Sequence, residues 1–65
     1  MKLIINGELK EFNDNITIKQ LLKSLNLNDK PVVIELNKEI IPKENYNRKL
    51  SPNDKLEIVT FVGGG

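Results

Sequence analysis

The chain has 65 residues, and its 10 Lys and Arg against 9 Asp and Glu leave a formal net charge of +1. A domain of that length buries only roughly 60% of the surface its unfolded chain would expose, so a deep pocket with a built-in reaction centre is not expected. Mixed charges and a hydrophobic share of 38% fit a folded soluble domain. The absence of a basic cluster and of an apolar run near 20 residues argues against nucleic-acid binding by counterion release and against a membrane span.

Met1 to Ile5 reads as a first strand, with Met1, Leu3 and Ile5 inward and Lys2, Ile4 and Asn6 outward. Asn6-Gly7 is a strong hairpin signal, and Glu8 to Phe12 makes the return strand. Leu9 and Phe12 fall on opposite faces of that strand, so either a bulge intervenes or one of them meets solvent. Phe12 is the expected core residue.

Thr17 and Gln20 form a Thr-x-x-Gln capping box, and Ile16 ahead of it is placed to staple onto Leu21. Ile18, Leu21, Leu22 and Leu25 then recur at helical spacing as one apolar stripe. Burying four such side chains is worth on the order of 6 to 12 kcal/mol gross, most of which chain entropy offsets. Lys23 suits the negative end of the helix, and Asn26 can take the left-handed cap.

A turn at Asn28-Asp29-Lys30-Pro31 leads into an apolar strand, Val32 to Leu36, with a short partner at Glu39 to Ile41 that Pro42 ends. Lys43 to Ser51 is irregular or a single helical turn, in which Tyr46 and Leu50 can be buried. Pro52-Asn53-Asp54 turns the chain into a last strand, Lys55 to Val62. A helix joining a first hairpin to later strands crosses one face of a single mixed sheet, with the last strand central beside the first. The expected fold is an α+β β-grasp: one domain over residues 1–65, four to five strands, one main helix, and residues 63–65 as a flexible glycine tail.

In the last strand Leu56, Ile58, Thr60 and Val62 share one phase, and Lys55, Glu57, Val59 and Phe61 share the other. Lys55 and Glu57 belong in water, so strict alternation sends Val59 and Phe61 to the same exposed side. Two readings stay open. A twist or bulge swings Phe61 into a second small core, or Val59 and Phe61 form a docking patch next to Val62, widened by Ile4 from the neighbouring strand.

There is no Cys and no His, hence no thiolate nucleophile, no zinc cluster and no side chain titrating near neutrality without a large perturbation. The acids sit beside lysines or in turns, a spacing that suits a solvated surface. Nothing assembles a nucleophile, a base and an orienting group, so the chain is expected to enter chemistry as a substrate rather than an enzyme. The final Gly63-Gly64-Gly65 contributes little to packing. By itself such a run reads first as a frayed terminus or a cloning scar, but it is also a thread slender enough to carry a carboxylate into a narrow site.

Several segments together resemble the bacterial sulfur-carrier family of thiamine biosynthesis, the ThiS type within the ThiS/MoaD ubiquitin-like superfamily. They are Lys2-Leu3-Ile4-Ile5-Asn6-Gly7-Glu8, the helix start from Thr17 to Leu22, Val33-Ile34-Glu35-Leu36-Asn37, Glu39-Ile40-Ile41-Pro42-Lys43 and the closing run from Asn53 to Gly65. The departures are local: Lys38 and Asn53 stand where that family usually has glycine, and Tyr46 where it often has tryptophan. Lys38 tolerates positive φ poorly, so a different turn is expected there.

The resemblance implies a Gly65 carboxylate that a ThiF-type adenylating enzyme joins to AMP, with ATP and magnesium used by that partner and no cofactor bound by the chain itself. Sulfur drawn from cysteine by a desulfurase would then make a thiocarboxylate for a ThiG-type thiazole synthase. Gly63, Gly64 and Gly65 would enter the partner's active site, with Val59, Phe61, Val62 and Ile4 docking. A cytoplasmic protein, monomeric when free, is expected. The alternatives are a small subunit of molybdopterin synthase, a ubiquitin-like modifier joined to lysines, and a non-covalent β-grasp interaction module, an RNA-binding one included.

Overall fold

The computed structural model describes residues 1–61; the expectations for Val62 and for Gly63, Gly64 and Gly65 lie outside the described residues. The chain runs through strands β1 (Lys2–Ile5) and β2 (Glu8–Glu11), helix α1 (Ile18–Ser24), strands β3 (Val32–Leu36) and β4 (Glu39–Ile41), a 3₁₀ turn (Lys43–Asn45) and strand β5 (Lys55–Thr60). One sheet forms in the order β2-β1-β5-β3-β4, with β5 parallel to β1 and antiparallel to β3. The last strand is therefore central and beside the first, as the β-grasp expectation required.

Local signals set the elements. At the first hairpin Asn6 and Gly7 adopt φ of 50° and 84°, the left-handed pair that a two-residue turn between twisted strands demands. At the start of α1 both halves of the capping box form: Thr17 Oγ1 accepts from the Gln20 N–H at 3.1 Å, and Gln20 Oε1 accepts from the Thr17 N–H at 2.9 Å. The two remaining first-turn amides, of Ile18 and Lys19, donate to the carbonyls of Arg48 and Tyr46. The orphan donors of the helix N-terminus are thus satisfied. At the other end Asn26, with φ of 60°, donates to the Lys23 carbonyl, and the Leu27 N–H donates to the Leu22 carbonyl at 2.8 Å. That pair of bonds is a Schellman closure.

The core lies between the sheet and α1. Register stacks Ile5, Leu56 and Leu36 in one row and Ile58, Ile34 and Ile41 in the next, and all six are buried. Ile18, Leu21 and Leu22 of the helix cover them, Leu25 is half-buried at the margin, and Ile16 and Leu50 close the side. Leu9 resolves against the core: it is exposed, while Phe12 packs on the cluster just beyond β2. The turn after β3 departs from expectation. Asn37 and Lys38 both take positive φ, 49° and 75°, so Lys38 accepts the left-handed conformation and a two-residue turn forms. Two Asn37 contacts hold it in place. Its Oδ1 accepts from the Lys55 N–H at 3.0 Å, and its Nδ2 donates to Asp54 Oδ1 at 3.1 Å.

Candidate functional site

The helix covers one face of the sheet and leaves the other open. Leu9 pairs with Ile4, Ile40 with Glu35 and Val33 with Val59, which sets all these side chains on the open face by strand alternation. Among the described residues the exposed large apolar side chains are Leu9, Ile40, Val59 and Phe61, so they gather on that face or on its continuation.

The exposure expected at the end of β5 is present. Val59 is 50% exposed and Phe61 57% exposed, and Phe61 is tied to the sheet by its N–H, which donates to the Pro31 carbonyl at 3.3 Å. No second core receives Phe61, so of the two readings left open by alternation the exposed one holds. The partner of Val59 across the sheet is the half-buried Val33, a neighbour the sequence reading missed because it depends on antiparallel register.

Ile4 does not widen this patch. The parallel register sets it opposite Lys55, four positions before Val59 and therefore about 13 Å away along the strand. It lies instead with Leu9, on the far side of the Glu57 and Glu35 row. The open face thus carries an Ile4–Leu9 patch and a Val33–Val59–Phe61 patch, with two carboxylates facing each other between them. Val62, Gly63, Gly64 and Gly65 lie outside the described residues.

The described residues contain no group of three or more acidic side chains that could hold a metal ion. An open groove between the end of α1 and the 3₁₀ turn is lined by Leu22, Leu27, Val32 and Tyr46 with Lys19 and Lys43 at its rim. Burial pushes the Tyr46 phenol above its ordinary value, so it stays neutral and offers no acid or base near pH 7. No helix among the described residues is long and apolar enough to cross a membrane. What the described residues present is a central strand that ends in an apolar patch, a few positions before the glycine run of the sequence.

Comparison with known proteins points the same way. The model of the ThiS family matches residues 3–65. The chain is 49% identical over 65 residues to the sulfur carrier protein ThiS of Bacillus subtilis, covering 97% of this chain and 98% of that one. It is 46% identical over 66 residues to a thiazole synthase of Paramagnetospirillum magneticum; all of this chain is covered, but it spans only 20% of that protein. A crystal structure of the thiamine biosynthesis protein ThiS from Geobacter metallireducens superposes with a TM-score of 0.84 at 28% identity, each chain covered in full. The chain belongs to the ThiS family.

Proposed function

We propose that the chain is a sulfur carrier for the thiazole moiety of thiamine, a protein co-substrate rather than an enzyme, and that it carries the sulfur as a thiocarboxylate on Gly65. The observation that supports this most directly is the exposure of Val59 in β5 and of Phe61 just beyond it, shortly before Gly63-Gly64-Gly65 in the sequence. An apolar patch beside the root of a slender thread is what a partner needs in order to grip the domain and receive its end.

The chemistry follows from the poor reactivity of a carboxylate. Its charge repels nucleophiles and oxide is a very poor leaving group. An adenylating partner removes both obstacles: a Gly65 carboxylate oxygen attacks the α-phosphorus of ATP, pyrophosphate leaves, and a mixed anhydride with AMP results. The terminal sulfur of a persulfide, loaded from cysteine by a desulfurase, attacks the acyl carbon and expels AMP. A second thiol then cleaves the acyl disulfide, taking the persulfide's inner sulfur into a disulfide and releasing the thiocarboxylate. ATP and magnesium belong to the partner. A stretch 46% identical to this chain within a thiazole synthase supports thiazole synthase as the acceptor, which would return the carrier as its carboxylate.

Pyrophosphate release with ATP and the adenylating enzyme of the same cell tests the reading. The wild-type chain is expected to support release, while a chain lacking Gly64 and Gly65, or one extended by a bulky residue after Gly65, is expected to support none. Normal release from the extended chain would overturn the proposal.

A further inference from the structure

The β1–β5 ladder ends in an unusual way. It begins regularly, with the Ile4 N–H donating to the Asp54 carbonyl and the Asn6 N–H to the Leu56 carbonyl, each at 2.9 Å. In a continuing parallel ladder the Asn6 carbonyl would next accept from the Ile58 N–H, and a later β1 residue would donate to the Ile58 carbonyl. Neither bond can form. Asn6 enters the hairpin turn with φ of 50° and Gly7 follows at 84°, so the chain swings away toward β2. Both backbone groups of Ile58 on that side would be orphaned, one step before the exposed patch begins.

The Asn6 side chain takes their place. Its Oδ1 accepts from the Ile58 N–H at 2.7 Å, and its Nδ2 donates to the Ile58 carbonyl at 3.2 Å. A carboxamide has the donor and the acceptor of a peptide group, so it continues the ladder by one rung while the backbone turns. Aspartate offers only the acceptor, and glycine suits only the turn. Beyond this rung β5 has no partner on the β1 side among the described residues. From Val59 to Phe61 it is held by β3 and Pro31 alone.

We infer that Asn6 is a positioning residue for the carrier reaction. It fixes the direction in which β5 leaves the sheet and so the line along which Gly65 reaches the reacting phosphorus. The inference rests on the adenylation of Gly65 proposed above. A strand held along one edge can twist about that edge, and a reacting group misplaced by about 1 Å can lose on the order of a hundredfold in rate.

The test uses the full 65-residue chain as wild type, Asn6→Gly and Asn6→Asp, with circular dichroism, amide hydrogen exchange and steady-state pyrophosphate release by the adenylating enzyme. Asn6→Gly keeps a favourable turn and is expected to fold, with the Ile58 amide exchanging about fivefold faster while the Leu21 amide in α1 is unchanged. Its kcat is expected to fall about tenfold with KM within about twofold of wild type. Asn6→Asp, whose carboxylate still accepts from the Ile58 N–H, is expected to restore Ile58 protection and to bring kcat within about threefold of wild type. An unchanged kcat in Asn6→Gly overturns the inference. So does exchange that rises equally at Ile58 and Leu21, which would mark a purely structural role. If wild type itself releases no pyrophosphate, the carrier reading fails and the inference falls with it; release by wild type with equal kcat in Asn6→Gly removes the inference alone.

Discussion

Phe61 illustrates how much depends on one side chain's direction. Its ring is 57% exposed, so replacing it removes little from the core, yet in the sequence it stands directly before the residues that the proposed partner would receive. Phe61→Asp is expected to leave the melting temperature within about 4 °C of wild type, because exposed substitutions away from packed features rarely exceed about 0.5 kcal/mol. Binding to the adenylating enzyme should weaken about tenfold or more, as expected when a charge replaces an aromatic anchor. Calorimetry on the free chain and titration against the enzyme separate the two. A fall of many degrees would show the ring to be structural. Alternation along β5 pointed to this exposure, since Lys55 and Glu57 fix the phase of Val59 and Phe61, but a twist of Phe61 into a second core stayed open until the structure placed it. Asn6 was a different case. Its hairpin role is local and explained it fully on the sequence, whereas the backbone it clamps lies 52 positions away.

Elements whose instructions are local were legible, and so was the central place of the last strand, but the register between strands was not. The capping box, the apolar stripe and the left-handed Asn26 all act within a few residues, so α1 could be outlined from spacing alone. Thr17→Ala tests that outline. Losing the Thr17 Oγ1 bond to the Gln20 N–H should cost about 1 kcal/mol and lower the melting temperature by about 4 to 8 °C. The amides of Ile18 and Lys19 keep their bonds to the Arg48 and Tyr46 carbonyls, so the helix itself should survive, as far-ultraviolet circular dichroism would register. An unchanged melting temperature would deny the cap its role. The sheet carried less of its own description. Ile4 and Val59 share a face but not a neighbourhood, because parallel register pairs Ile4 with Lys55 and nothing near Ile4 encodes that offset. Lys38 shows the reverse failure. Its local preference argued for another turn, and the strand register on either side, with Asn37 bonded to Lys55 and Asp54, overrode it.

The whole molecule divides its labour between two faces. One face buries the core under α1 and makes the domain rigid, and the other stays open, with apolar side chains at its margins and at the end of β5. A domain this small has little surface to spare for an enclosed active site, and membership of the ThiS family supports the proposed role of sulfur carrier. In that role the fold is a handle, and its centre of action is the end of a strand rather than a cavity. The absence of cysteine suits that role, since a side-chain thiol would compete for the sulfur in transit. The most direct test of this account is the intact mass of the chain isolated from cells making thiamine, followed by fragmentation. A fraction heavier by one sulfur in place of one oxygen is expected, with the change confined to Gly65. A mass that never departs from the sequence under those conditions, or sulfur found at any other residue, would contradict it.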